Sequence, residues 1–216
     1  MAVLQQAANN SGAPSFGSGT TAGSTIIVGI CGLDNINNVT GVTDNKGQVY
    51  LQATGALAES SAGFRYSDIW YFSNSAAGVT TVTPSYSVAI QNFVNIIEAS
   101  SLATTSALRT VGALNNGTAS TTQVTAPVTT GAANDFIFVV NSSALNGDLA
   151  SVASPYTFFS GAGGSANSAY HIPSTIVTNE TATFTESSSN VFCASTAVFK
   201  GVAIVAPKSN LLLTTG

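Results

Sequence analysis

Ser24-Thr25-Ile26-Ile27-Val28-Gly29-Ile30-Cys31 is the stretch on which the fold turns. Side chains alternate along a strand, so Ile26, Val28 and Ile30 point one way and Ile27 and Gly29 the other. The run has strand length. It falls well short of the ~18–20 apolar residues that cross a bilayer, and no other run in the chain reaches that length.

Working outward, residues 39–43 and 48–53 flank Asp44-Asn45-Lys46-Gly47. Asp at the first turn position and Gly where a left-handed residue is needed predict a type I turn with a bulge, hence a hairpin. Residues 65–73 carry Tyr66, Ile69, Trp70, Tyr71 and Phe72, and Ala76-Ala77-Gly78 makes a turn. Residues 79–86 alternate apolar with Thr and contain Pro84, which predicts an edge or bulged strand. Residues 88–99 are rich in β-branched side chains and read as a buried strand.

Further along, 100–134 reads as loop with one weak strand near 121–128, and 135–141 as a strong strand. Residues 144–153 are the single helical candidate. Five further strands are expected at 156–159, 168–172, 182–186, 190–199 and 202–206. Some ten to twelve strands separated by Gly/Ser/Asn turns predict an all-β, antiparallel, jelly-roll-like sandwich with little or no helix. Residues 1–23, with little periodicity, read as an extended N-terminal arm, and 24–216 as one sandwich domain. Thr20-Thr21-Ala22-Gly23 leads into Ile26, and Thr129-Thr130-Gly131-Ala132 into Phe136, about 110 residues on. This echo points to two related halves.

Composition bounds the chemistry. Charged residues make up 6 % of the 216, against about 25 % in ordinary globular chains. Five Lys and Arg, scattered singly, build no basic patch for phosphates, so nucleic acid is excluded as a partner. A nearly uncharged Thr/Ser/Asn surface repels its own copies weakly and suits packing against neighbours or neutral glycans. Residues 1–23 lack the basic and apolar regions of a signal peptide.

Catalytic constellations are missing. The one histidine, His171, has no Gly-x-Ser-x-Gly elbow to serve. Asp44 is explained by its turn, and Glu59, Asp68, Glu180 and Glu186 form no paired motif. No phosphate loop, dinucleotide fingerprint or zinc motif is present, so neither metal nor cofactor is implied. Gly161-Ala162-Gly163-Gly164 reads as a loop. Cys31 and Cys193 read as buried free thiols, with a bond between an early and a late strand left open. Asn38, Asn116, Asn141 and Asn179 head Asn-x-Ser/Thr triplets. Tyr66, Trp70 and Tyr71 form the candidate ligand site, a stacking platform for glycan. Alternation sets Trp70 and Phe72 opposite Ile69 and Tyr71, so one aromatic pair would be exposed if only one face is core.

The order of Ile26 to Ile30, then Val42-x-Asp44-x-x-Gly47-x-x-Tyr50, then Asp68 to Ser73 and Ala77-Gly78-Val79-Thr80-Thr81-Val82, closing on Ala197-Val198-Phe199-Lys200, resembles a poorly characterised β-sandwich domain. That domain occurs in bacterial secreted and surface proteins and in phage virion proteins. The resemblance spans most of 20–206 and implies a fold without an active site. The expected function is a non-enzymatic structural or surface protein that assembles with copies of itself or a larger particle. A phage or virus virion component is meant, such as a decoration, fibre or capsid-associated protein at the virion surface. The alternative is a carbohydrate-binding or adhesion module of a secreted bacterial protein. An enzyme would need His171 or an acid pair in a cleft.

Overall fold

The computed structural model describes residues 1–10, 12–34, 36–60, 64–88, 91–143, 149–159 and 166–202. Among them are fourteen strands, all paired antiparallel, and no helix, so the expected all-β antiparallel sandwich is what the chain forms. The strands of the first sheet are β1 (Val3–Asn10), β2 (Thr25–Gly32), β4 (Leu51–Gln52), β5 (Ala58–Ser60), β6 (Arg65–Phe72) and β8 (Asn92–Ser100). Their order is β1-β8-β2-β6-β4, with β5 also on β6. β3 (Val39–Asp44) and β7 (Val82–Tyr86) form a separate ribbon.

The later strands are β9 (Leu108–Val124), β10 (Phe136–Ser143), β11 (Leu149–Val152), β12 (Thr157–Phe159), β13 (Ala166–His171) and β14 (Thr183–Phe199). They build the second sheet in the order β14-β10-β13-β12, with β9 and β11 also on β14.

The two sheets repeat one plan. β8-β2-β6-β4 corresponds to β14-β10-β13-β12, and the edge strands β1 and β9 lie beside β8 and β14. Ile26 pairs with Glu98 and Phe72, as Ile137 pairs with Val198 and His171. Thr20 N donates to Val79 O (3.0 Å) and Val79 N to Thr20 Oγ1 (3.0 Å); Thr130 and Val177 repeat this at 3.0 and 2.9 Å. Gly23 (φ 83°) donates to Ser75 O, and Asn134 (φ 65°) to Pro173 O. The ribbon β3–β7 corresponds to β11 with the start of β14, since Val42 faces Pro84 as Val152 faces Phe184. The echo in the sequence marks two halves, each with its own sheet and its own cover.

Three apolar layers hold the stack. Between the sheets lie Ile27, Ile69, Tyr71, Phe93 and Ile97 against Phe136, Phe138, Val140, Ala197 and Phe199. Outside the first sheet, Ile26, Val28, Ile30, Val94 and Ile96 pack under Phe16, Val42, Val79 and Val82. Outside the second, Ile137, Val139 and Val198 pack under Val128, Tyr156, Ala182 and Phe184. All eight residues of β2 are buried, which is why it reads as an unbroken apolar run with cover on both faces. Full burial of each such side chain stabilises the fold by roughly 1.5–3 kcal/mol.

Several expectations are corrected. The segment expected as an extended N-terminal arm holds a strand and packs on its own chain: β1 pairs with β8, Ser15 bridges Thr81, and Phe16 is in the core. The polar run 108–124 is a strand of seventeen residues, not loop. Its Gly, Ala and Asn have poor strand propensity, and pairing along β14 overrides it. In the helical candidate, 149–152 is strand, while 144–148 lies outside the described residues. The strand expected at 202–206 lies outside them beyond Val202, as does the Gly161–Gly164 loop. The turn at 44–47 forms, with Lys46 N and Gln48 N donating to Asp44 Oδ1 at 2.8 and 3.2 Å. Its hairpin is short, because β3 pairs mainly with β7 while β4 leaves for β6.

Candidate functional site

β6 carries the three aromatics expected to stack on sugar. Tyr66, Trp70 and Phe72 face the first half's own core, and Tyr71 faces the layer between the sheets. The alternation is as read, yet no stacking face results, because both sides of β6 are covered. Tyr66 is fully buried, and its hydroxyl donates to Asn92 Oδ1. Trp70 is half-buried, with Nε1 donating to Asp68 Oδ2 at 2.8 Å. Tyr71 packs edge-on against Phe199, ring centroids 5.3 Å apart. The three do not come together as a platform.

Asp68 is a second feature of β6. Its carboxylate is fully buried and accepts from Asn37 Nδ2 (2.8 Å), Gln52 Nε2 (2.8 Å), Trp70 Nε1 and the Ile69 amide (2.8 Å). Burial pushes its pKa above the ordinary value, and these donors pull it back. Asn37 N also donates to Glu59 Oε1 (2.7 Å), so Asn37 is tied to both β5 and β6. This network accounts for a buried carboxyl group by giving both its oxygens donors.

The other reactive side chains are spread apart. His171 Nδ1 lies 3.5 Å from Glu180 Oε1, beside the Tyr156 ring at 5.4 Å, on the second half's cover. Burial lowers the His171 pKa, opposed by Glu180. Cys31 and Cys193 are free and buried. Burial raises both thiols, Cys193 to about 12, so neither is a ready nucleophile. Among the described residues no three His, Cys, Asp or Glu side chains gather as metal ligands. Of the Asn-x-Ser/Thr positions, Asn38 and Asn141 are buried.

A cleft of about 530 Å3 opens where β4 and the end of β6 meet the segment joining the halves. Val49 and Leu51 form its lip, Tyr71 and Phe72 its floor, and Ser73, Thr104 and Ser106 add hydroxyls. Val49 is 66 % and Leu51 61 % exposed, high for apolar residues flanking a core Tyr50. None of these lining residues carries charge. The cleft's lining combines two aromatic rings with hydroxyls. Of the expected site residues, Tyr71 alone reaches it. The lip had a signal in the sequence: around Tyr50, inward by alternation, Val49 and Leu51 must both point outward. Thr104 and Ser106 had none, lying in a Ser/Thr tract where hydroxyls are common.

No family model, no curated protein and no solved structure matches the chain.

Proposed function

We propose that the chain is a structural or surface protein that assembles with copies of itself or with a larger particle, as a virion component does. The observation that carries the reading is the two long strands at open edges, β1 and β9. Among the described residues β1 pairs only with β8, and β9 only with β14. β1 has no charged residue and no proline, and β9 has Arg109 alone in seventeen residues. Soluble proteins normally guard such edges with charge, proline or cover, because unpaired N–H and C=O groups recruit other strands. An edge left unguarded in a chain so poor in charge fits a surface that meets neighbours. Location on a virion or outside a cell follows from this reading and from the resemblance to phage and bacterial surface domains.

Light scattering of the purified chain across a concentration series, with electron microscopy of the same sample, tests it. Defined oligomers, fibres or shells are expected; a monomer throughout would sink the proposal. The second reading, a neutral-glycan module, is favoured by the uncharged aromatic-floored cleft. A glycan array bound by the wild type and lost in Leu51→Asp would support that reading instead.

A further inference from the structure

The two halves share a plan, so each position in one shows what the other has changed. At the end of the first half's core, Ile30 points under the cover, Gly32 lies beneath the Tyr66 ring, and Tyr86 closes the ribbon. A Cβ on Gly32 would overlap that ring. Pairing registers place Asn141, Ser143 and Glu186 at the positions of Ile30, Gly32 and Tyr86. An end built from an isoleucine, a glycine and a tyrosine has become one of amide, hydroxyl and carboxylate.

All three are buried, Asn141 and Ser143 fully and Glu186 to 3 % exposure. Asn141 and Ser143 point from β10 to the same face as Ile137 and Val139. Asn141 Nδ2 donates to Gln123 Oε1 (2.6 Å), and Gln123 is paired with Phe184, two residues before Glu186 on the same face. Asn190 Nδ2 donates to Glu186 Oε2 (2.7 Å). One oxygen on each of the three stays without a hydrogen-bond partner: Asn141 Oδ1, Ser143 Oγ and Glu186 Oε1. Buried polar atoms are rarely left so, and a buried carboxylate needs a positive partner. Among the described residues no basic side chain supplies it. Arg109 is bound to Asp135 and His171 faces Glu180, both toward the opposite end of β10, and Arg65 lies by the Cys31 and Cys193 thiols and forms no ion pair with Glu186. Gln123 Nε2 is also without a partner, but as a donor it stands outside any ligand set.

We propose that Glu186 Oε1, Asn141 Oδ1 and Ser143 Oγ bind an alkali-metal cation, sodium or potassium, within the second half. Hard oxygen donors of carboxylate, amide and hydroxyl type select hard cations. The charge decides the class: one carboxylate neutralises one positive charge, whereas a divalent ion would leave a net charge buried with no second acid beside it. The cation stabilises the folded half by binding it alone, and it is independent of any assembly at β1 and β9.

The test is thermal unfolding of the full chain in NaCl, KCl and choline chloride at one ionic strength. Tm is expected to rise with the logarithm of sodium or potassium concentration and to stay flat in choline. Glu186→Gln is expected to abolish that rise while unfolding normally in choline. Asn141→Asp, which adds a second carboxylate, is expected to shift the preference to millimolar Ca2+. Equal Tm in NaCl and choline, a rise that survives Glu186→Gln, or Ca2+ outdoing sodium in the wild type would each overturn the proposal. Should Glu186→Gln fail to fold, 23Na line broadening on the wild type decides: broadening displaced by potassium supports the site, and its absence refutes it.

Discussion

Gly29 of β2 faces Val140 of β10 across the layer between the sheets, and the two occupy the same position in their respective halves. A Cβ on Gly29 would overlap Val140 Cγ2 and come within 3.1 Å of the Phe138 ring. The two halves are in tight contact here, and the missing side chain on β2 admits Val140. Gly29→Ala is expected to cost about 1–3 kcal/mol, the range for overpacking a filled core. Adding Val140→Ala should recover part of that loss, because it removes the methyl in the way. A denaturant-based double-mutant cycle reads the coupling; strictly additive losses would show that the two do not meet.

Asp135 holds the opposite end of β10. Arg109 Nε lies 2.6 Å from its Oδ2, and the amides of Gly131 (2.9 Å), Ala132 (3.2 Å) and Gly201 (3.0 Å) also donate to it. Asp135 is fully buried, while the Arg109 side chain is 28 % exposed. Asp135→Asn strands the guanidinium and reverses part of this cradle, with an expected loss of about 3–5 kcal/mol. Arg109→Met leaves three backbone donors on the carboxylate and should cost less. Equal losses from the two variants, read from urea midpoints, would contradict that ranking.

These sites show what a sequence exposes and what it hides. Ile26 to Ile30 announced a strand because both its faces are buried, and Asp44 with Gly47 announced a turn through its own backbone chemistry. β9 was hidden: its Gly, Ala and Asn are held in a strand by β14, whose partner cannot be read locally. Tyr66, Trp70 and Tyr71 looked like a platform because alternation separates two faces of a strand. Alternation does not say how many layers cover them, and here β3–β7 covers one face while the second sheet covers the other. Asn141, Ser143 and Glu186 were invisible for a similar reason, since only the folded repeat sets them against Ile30, Gly32 and Tyr86.

His171 should give the chain its pH response near neutrality. It is the single histidine, and it stands where the first half has Phe72. Burial holds its folded pKa below the ordinary 6.5, with Glu180 opposing. The unfolded chain therefore binds the proton more tightly, so stability is complete above pH 6.5 and falls as pH drops toward the folded value. Tm measured from pH 7.5 to 5 should decline in the wild type and flatten in His171→Phe. Asp68, raised above its ordinary 3.8 by burial, has the opposite sign: its contribution is present below 3.8 and is lost as pH rises through the folded value. A decline that persists unchanged in His171→Phe would assign the response elsewhere.

The open edge of β9 is the place to interrupt assembly without disturbing the fold. Ala119 is exposed on this strand, and its neighbours Thr118 and Thr121 are exposed and uncharged as well. A lysine there costs little in the monomer, since its stem lies on the surface and its ammonium stays in water. Brought against a second copy of the same edge, it must lose water or meet a like charge. Ala119→Lys is therefore expected to keep the wild-type Tm and lower the mass seen by light scattering. The matching change on β1, Gln5→Lys, separates the two edges: the one whose lysine dissolves the oligomer is the one that joins copies. If neither variant changes the mass of an oligomer that the wild type forms, association runs through another surface. The exposed lip of Val49 and Leu51 is then the next to be charged.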